Sequence, residues 1–121
     1  MPHVVLKGAI TTEDAFLRVQ PLAVRGRDTI LKTAGAYLSL DRNSILVEAL
    51  AQEADRKRSF LAMIGRRDDG LVVRIYPGTE VEKSSGVKRI LAEQAKQLLA
   101  AFPSLQVGET NLAEYLAPLH E

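Results

Sequence analysis

The spacing of apolar and polar residues changes period along the chain, and each change marks an element. His3 to Ile10 is apolar and β-branched and then meets Thr11-Thr12-Glu13-Asp14, which reads as a strand running into a helix start. Thr11 with Asp14 three residues on approximates a capping box, and two acids suit the positive end of a helix. Any helix over residues 12–20 must be short, because Pro21 breaks it. The FLRV stretch also fits an extended chain.

From Thr29 the period becomes two. Thr29–Leu40, Ser44–Ala54, Lys57–Arg67 and Leu71–Tyr76 read as four strands separated by DRNS, DR and DDG, and Asp69-Gly70 is a strong hairpin signal. Links this short force antiparallel neighbours, since a parallel crossover needs about a dozen residues or more. Pro77-Gly78 ends the last strand. From Ser85 to Phe102 the period becomes helical, with Val87, Ile90, Leu91, Ala95, Leu98 and Phe102 on one face, and Pro103 stops it. Leu105-Gln106-Val107 reads as a short edge strand. Asn111 with Glu114 forms another capping box, opening a last helix with Leu112, Tyr115, Leu116 and Leu119 on its apolar side.

The expected fold is therefore α+β in a single domain over residues 1–121. It comprises a four- to five-stranded antiparallel β-meander, a long C-terminal amphipathic helix packed on one face, and short helices near both ends. Neither internal repeats nor low-complexity linkers interrupt it.

Composition narrows the chemistry. The 121 residues carry a net charge of +1 and no cysteine. Disulfides, thiolate nucleophiles and cysteine-ligated zinc are excluded together. The near-zero balance gives no reason to expect nucleic acid or a charged membrane surface as partner. MPHVVLKGAI lacks the pattern of a signal peptide, and no segment approaches the roughly 20 apolar residues of a membrane span, so a cytoplasmic location is expected.

The sharpest local question lies in EKSSGVKRILAEQ, residues 82–94. Thr79 with Glu82 could cap a helix running through the serines. However, Val81 would then lie roughly 110° off the apolar stripe, and Ser84-Ser85-Gly86 would place three poor helix formers in a row. A turn at 79–83 followed by a fresh start, with Ser84 or Ser85 as N-cap, fits better. That start offers free amides, a positive dipole end, Gly86 for close approach, and Lys88 and Arg89 nearby. Ser84, Ser85, Gly86, Lys88 and Arg89 thus form a candidate anion site, with Arg74 as a further source of charge. The spacing is not that of a P-loop, because Gly78 and Gly86 stand eight apart and Val87 occupies the lysine position.

Other constellations carry less. His3 and His120 stand at opposite ends of the chain, so a two-histidine metal site has no local support, and no metal or cofactor is expected. Asp68-Asp69 reads as turn chemistry. DRNSI lacks the third ligand and the glycine of a calcium loop. Arg56-Lys57-Arg58 and Arg66-Arg67 flank one strand about 26 Å apart at ~3.3 Å per residue. Acids accompany both groups, Glu53 and Asp55 at one end and Asp68 and Asp69 at the other. No aromatic ladder accompanies the cations, which argues against a nucleic-acid groove.

The sheet itself carries an apolar surplus. Phe60, Ala62 and Ile64 would face one side, and Leu61 and Met63 the other. Leu71, Val73 and Ile75 share one face, while Val72 and Tyr76 occupy the opposite one around Arg74. A sheet with one wet face should alternate cleanly. The second face must therefore close a core, line a pocket, or pack on another subunit. With no catalytic constellation in view, the expectation is a non-enzymatic binding or assembly module. It would be homodimeric through Leu61, Met63, Val72 and Tyr76. The rival is an enzyme or sensor for a small anionic, phosphorylated ligand at the Ser84-Ser85-Gly86 helix start.

Overall fold

Seven strands pair antiparallel into one curled sheet in the computed structural model, which describes residues 1–54 and 56–117. Asp55, Leu119 and His120, invoked above, lie outside the described residues. The strands are β1 (His3–Lys7), β2 (Ala23–Arg25), β3 (Thr29–Leu38), β4 (Ser44–Glu53), β5 (Arg56–Arg67), β6 (Gly70–Ile75) and β7 (Gln106–Thr110). Their spatial order is β2-β3-β4-β5-β6-β1-β7. Three helices accompany them: α1 (Thr12–Phe16), α2 (Ser85–Ala101) and α3 (Ala113–Leu116).

This corrects the expected four- to five-stranded meander. The hairpin-linked run β3 to β6 is the middle of a larger sheet. β1 does not stop at an edge but lies between β6 and β7, pairing Val4 with Val73 and Leu6 with Leu71. The reason is in its composition. Val4, Val5 and Leu6 are consecutive and apolar, so the strand presents oily side chains to both faces, and an interior position buries all three. β2 follows Pro21 and adds an edge to β3 through only three residues. β7 forms the other edge and runs Gln106–Thr110, mostly exposed.

The helical layer is corrected too. No long C-terminal helix dominates the face, because α2 is followed by β7 and α3. α1 spans only the first part of residues 12–20, with the Thr11 hydroxyl accepting from the Asp14 amide at 3.0 Å. The expected capping box at Asn111 does not form. Leu112 holds the N-cap position, while Asn111 accepts from the His3 amide at 3.0 Å and donates to the Met1 carbonyl at 2.8 Å. The side chain that could have capped α3 ties the start of β1 to the end of β7 instead.

One face of the sheet carries the core. Val4, Leu6, Leu31, Ile45, Val47, Phe60, Ile64, Leu71 and Val73 pack against Val87, Ile90, Leu91, Ala95 and Leu98 of α2. Ala15 and Phe16 of α1, and Leu112, Tyr115 and Leu116 beside and within α3, complete the same cluster. Each large apolar side chain so buried contributes on the order of 2 kcal/mol, which fixes α2 on this face more firmly than its helix propensity could. All three helices thus pack on one side of the sheet.

Candidate functional site

The start of α2 is an anion seat with an occupant from the same chain. Ser84 is the N-cap, its hydroxyl oxygen accepting from the Val87 amide at 3.2 Å. The Glu53 carboxylate, at the end of β4, lies across the first turn. It accepts from the Ser84 hydroxyl at 2.5 Å, the Gly86 amide at 3.0 Å and the Ser85 hydroxyl at 3.5 Å. Arg58 of β5 donates to the same carboxylate at 3.2 Å and reaches Glu82 at 3.0 Å. The Glu53 and Arg58 side chains are only 20% and 13% exposed, so this pair is shielded from bulk solvent.

Gly86 is required by that carboxylate. A Cβ there would lie 2.5 Å from Glu53 Cδ and 2.7 Å from Oε1. Burial pushes the Glu53 carboxyl up, but the Ser84 hydroxyl, the Gly86 amide, Arg58 and Ser85 together outweigh it and hold the group below its ordinary value. A carboxylate stabilised in its ionised form is a poor proton acceptor, so Ser84 is anchored by Glu53 and not activated as a nucleophile.

The candidate anion-site residues separate accordingly. Ser85, Gly86 and Arg89 line a cavity of about 290 Å³ together with Val24, Arg25, Gly26, Thr29, Leu31 and Glu53. Arg89 also lies with its guanidinium 5.4 Å from the centre of the Tyr115 ring. Lys88 lies outside that cavity lining, its amide donating to the Ser84 carbonyl within the helix. Arg74 is not part of the cluster, since it pairs in register with Met63 and His3 on the opposite side of the sheet. The residue that sequence reading missed is Glu53. Local sequence marks it only as an acid accompanying the Arg56-Lys57-Arg58 run.

The second candidate is that opposite sheet face. Register places Leu46 and Leu50 of β4, Leu61 and Met63 of β5, Val72 and Tyr76 by β6, and Val5 of β1 together on it. Leu46, Leu50, Leu61 and Val72 are half-buried, and none belongs to the core cluster. Val5 and Met63 are buried here, also outside that cluster. Tyr37 and Tyr76 flank the patch, 55% and 36% exposed.

Two opposite charges interrupt the apolar row. Glu48 on β4 pairs across to Leu61 and accepts from the Tyr37 hydroxyl at 2.8 Å, which raises the Tyr37 phenol above its ordinary value. A register shift in β3 between Thr33 and Ala36 contains Gly35, where a Cβ would lie 2.8 Å from the Tyr37 hydroxyl. The missing side chain leaves room for that contact. Arg74 on β6 has a buried Nε without a hydrogen-bond partner among the described residues. Elsewhere Arg67 pairs with Asp69 at 2.9 Å, Arg42 with Glu13 at 2.8 Å and Lys96 with Glu93 at 3.0 Å.

No helix among the described residues is long and apolar enough to cross a membrane. Compared with protein-family models, curated proteins and solved structures, the chain gives no significant match.

Proposed function

We propose that this protein is a non-enzymatic assembly module that pairs with a second copy of itself through the sheet face opposite the helices. One observation carries the reading: all three helices pack on one side, while Leu46, Leu50, Leu61, Met63 and Val72 share the other, broken only by Glu48 and Arg74 among them. A second copy on that row would cover apolar side chains that the helices, packed on the other side, leave uncovered. Size also fits. Strands β3 to β6 with β1 span about 24 Å at ~4.8 Å per strand, giving a footprint on the order of 700 Å². Stable interfaces bury roughly 600–1,000 Å² per partner. With a net charge of +1, two copies meet without strong long-range repulsion.

Light scattering of the purified chain should give twice the monomer mass. Leu61→Asp, placing a charge at the centre of the row, should give a monomer with unchanged far-ultraviolet circular dichroism. A wild-type chain that stays monomeric at high concentration overturns the reading.

A second reading places a small phosphorylated ligand in the cavity beside α2. It is supported by Arg25 and Arg89 standing with Ser85 and Gly86 in one lining, and opposed by the Glu53 carboxylate already on the amides. A phosphate would have to displace that carboxylate. Glu53→Gln removes the competing charge, so under this reading phosphate raises the melting temperature of Glu53→Gln more than that of the wild type. No shift in either protein rejects it.

A further inference from the structure

We infer that the second copy docks about a two-fold axis running along β5, so that Glu48 of each copy pairs with Arg74 of the other. This rests on the homodimer reading and specifies its geometry. On the outer face β4 and β6 flank β5 at equal distance, one carrying Glu48 and the other Arg74. A two-fold along β5 exchanges these flanks: β4 of one copy lies over β6 of the other. Leu61 and Met63 then pack on their own symmetry mates at the axis. Glu48 sits in the Leu61 row and Arg74 in the Met63 row, one residue pair apart along the strands. That offset is about 7 Å, and packed sheets stand ~10 Å apart, a separation the two long side chains together span.

The two charges have matching needs. Within one chain neither Arg74 nor Glu48 makes an ion pair among the described residues, so the terminal guanidinium nitrogens of Arg74 are open to a partner carboxylate. Glu48 is exposed, with the Tyr37 hydroxyl as its hydrogen-bond partner, so its carboxylate keeps free acceptor sites. An isologous interface places its own acid over its own base, and Glu48 and Arg74 supply such a pair. Two such pairs, related by the axis, would also fix the register of an otherwise slippery apolar contact.

Charge reversal tests this directly. Glu48→Arg and Arg74→Glu should each weaken self-association by about tenfold or more, because each creates two like-charge contacts per dimer. Mixing the two variants should restore a heterodimer near wild-type affinity, since both contacts are then of opposite sign. Sedimentation equilibrium of each variant and of the mixture reads the result. Glu48→Gln and Arg74→Gln, alone and combined, serve as a milder cycle if a reversed variant loses its fold. Additive effects in that cycle, or a mixture no tighter than the single variants, overturn the proposed pairing while leaving the dimer standing. A monomeric wild type overturns both.

Discussion

Glu53 holds the start of α2 as an added anion would, and its effect depends on pH. Its folded-state pKa lies below its unfolded value, so the stability it contributes is fully present above the unfolded pKa. That contribution is lost as pH falls through the folded pKa. Glu53→Gln should therefore cost about 2 kcal/mol at neutral pH, where it weakens the bonds to the Ser84 hydroxyl and Gly86 amide and leaves Arg58 with Glu82 as its one carboxylate partner among the described residues. Urea titrations should show the gap to wild type closing in acid, and a gap independent of pH would contradict this role. Gly86→Ala tests the same contact from the other side. Alanine is the better helix former by up to ~1 kcal/mol, yet its Cβ displaces the carboxylate, so a net loss is expected in the wild type. In a Glu53→Ala background the loss should vanish or reverse. The Ser84 cap is legible in the sequence from the phase of Val81 against the later stripe. Glu53 is not, because it lies 31 residues away from Ser84 and reaches it only once β4 is in place.

At the scale of elements, β1 decides the sheet. The Asp69-Gly70 signal reads as hairpin geometry, but Gly70 has a second duty. Its φ is +151°, and a Cβ there would lie 2.0 Å from the Leu6 carbonyl oxygen of β1. Backbone cannot yield as a flexible side chain does, so Gly70→Ala should destabilise by about 3 kcal/mol or more. Hydrogen exchange should show β1 and β7 losing protection first, before β3 to β5. Equal loss across the whole sheet would place the strain elsewhere. The four central strands are legible because their period-two patterning is long. β2 is not, since its three residues carry almost no alternation, and β7 is legible only at its start, where Leu105-Gln106-Val107 reads as an edge strand. Nor does local pattern reveal that an N-terminal strand inserts between β6 and β7, although the unbroken Val4-Val5-Leu6 run marks it as an interior strand.

At the scale of the molecule, one sheet face is covered and the other is not. The surplus of Leu61, Met63, Val72 and Tyr76 opposite the core strands is readable from sequence, because period two assigns each side chain to a face. Whether a second copy covers them is not, since alternation within one chain carries no information about another. Only the register of the folded sheet brings Leu46, Leu50 and Val5 to the same surface and sets Glu48 and Arg74 on either side of β5. The most direct measurement uses the absence of native cysteine. Ser59 is exposed on the outer face of β5, two residues from Leu61, and Ser59→Cys takes a single spin label. With sheets packed ~10 Å apart, labels on paired copies should lie within roughly 30 Å of each other whichever way the two-fold runs. Pulsed dipolar spectroscopy showing that short intermolecular distance is the expected result. Absence of intermolecular coupling at high concentration would contradict self-pairing through this face.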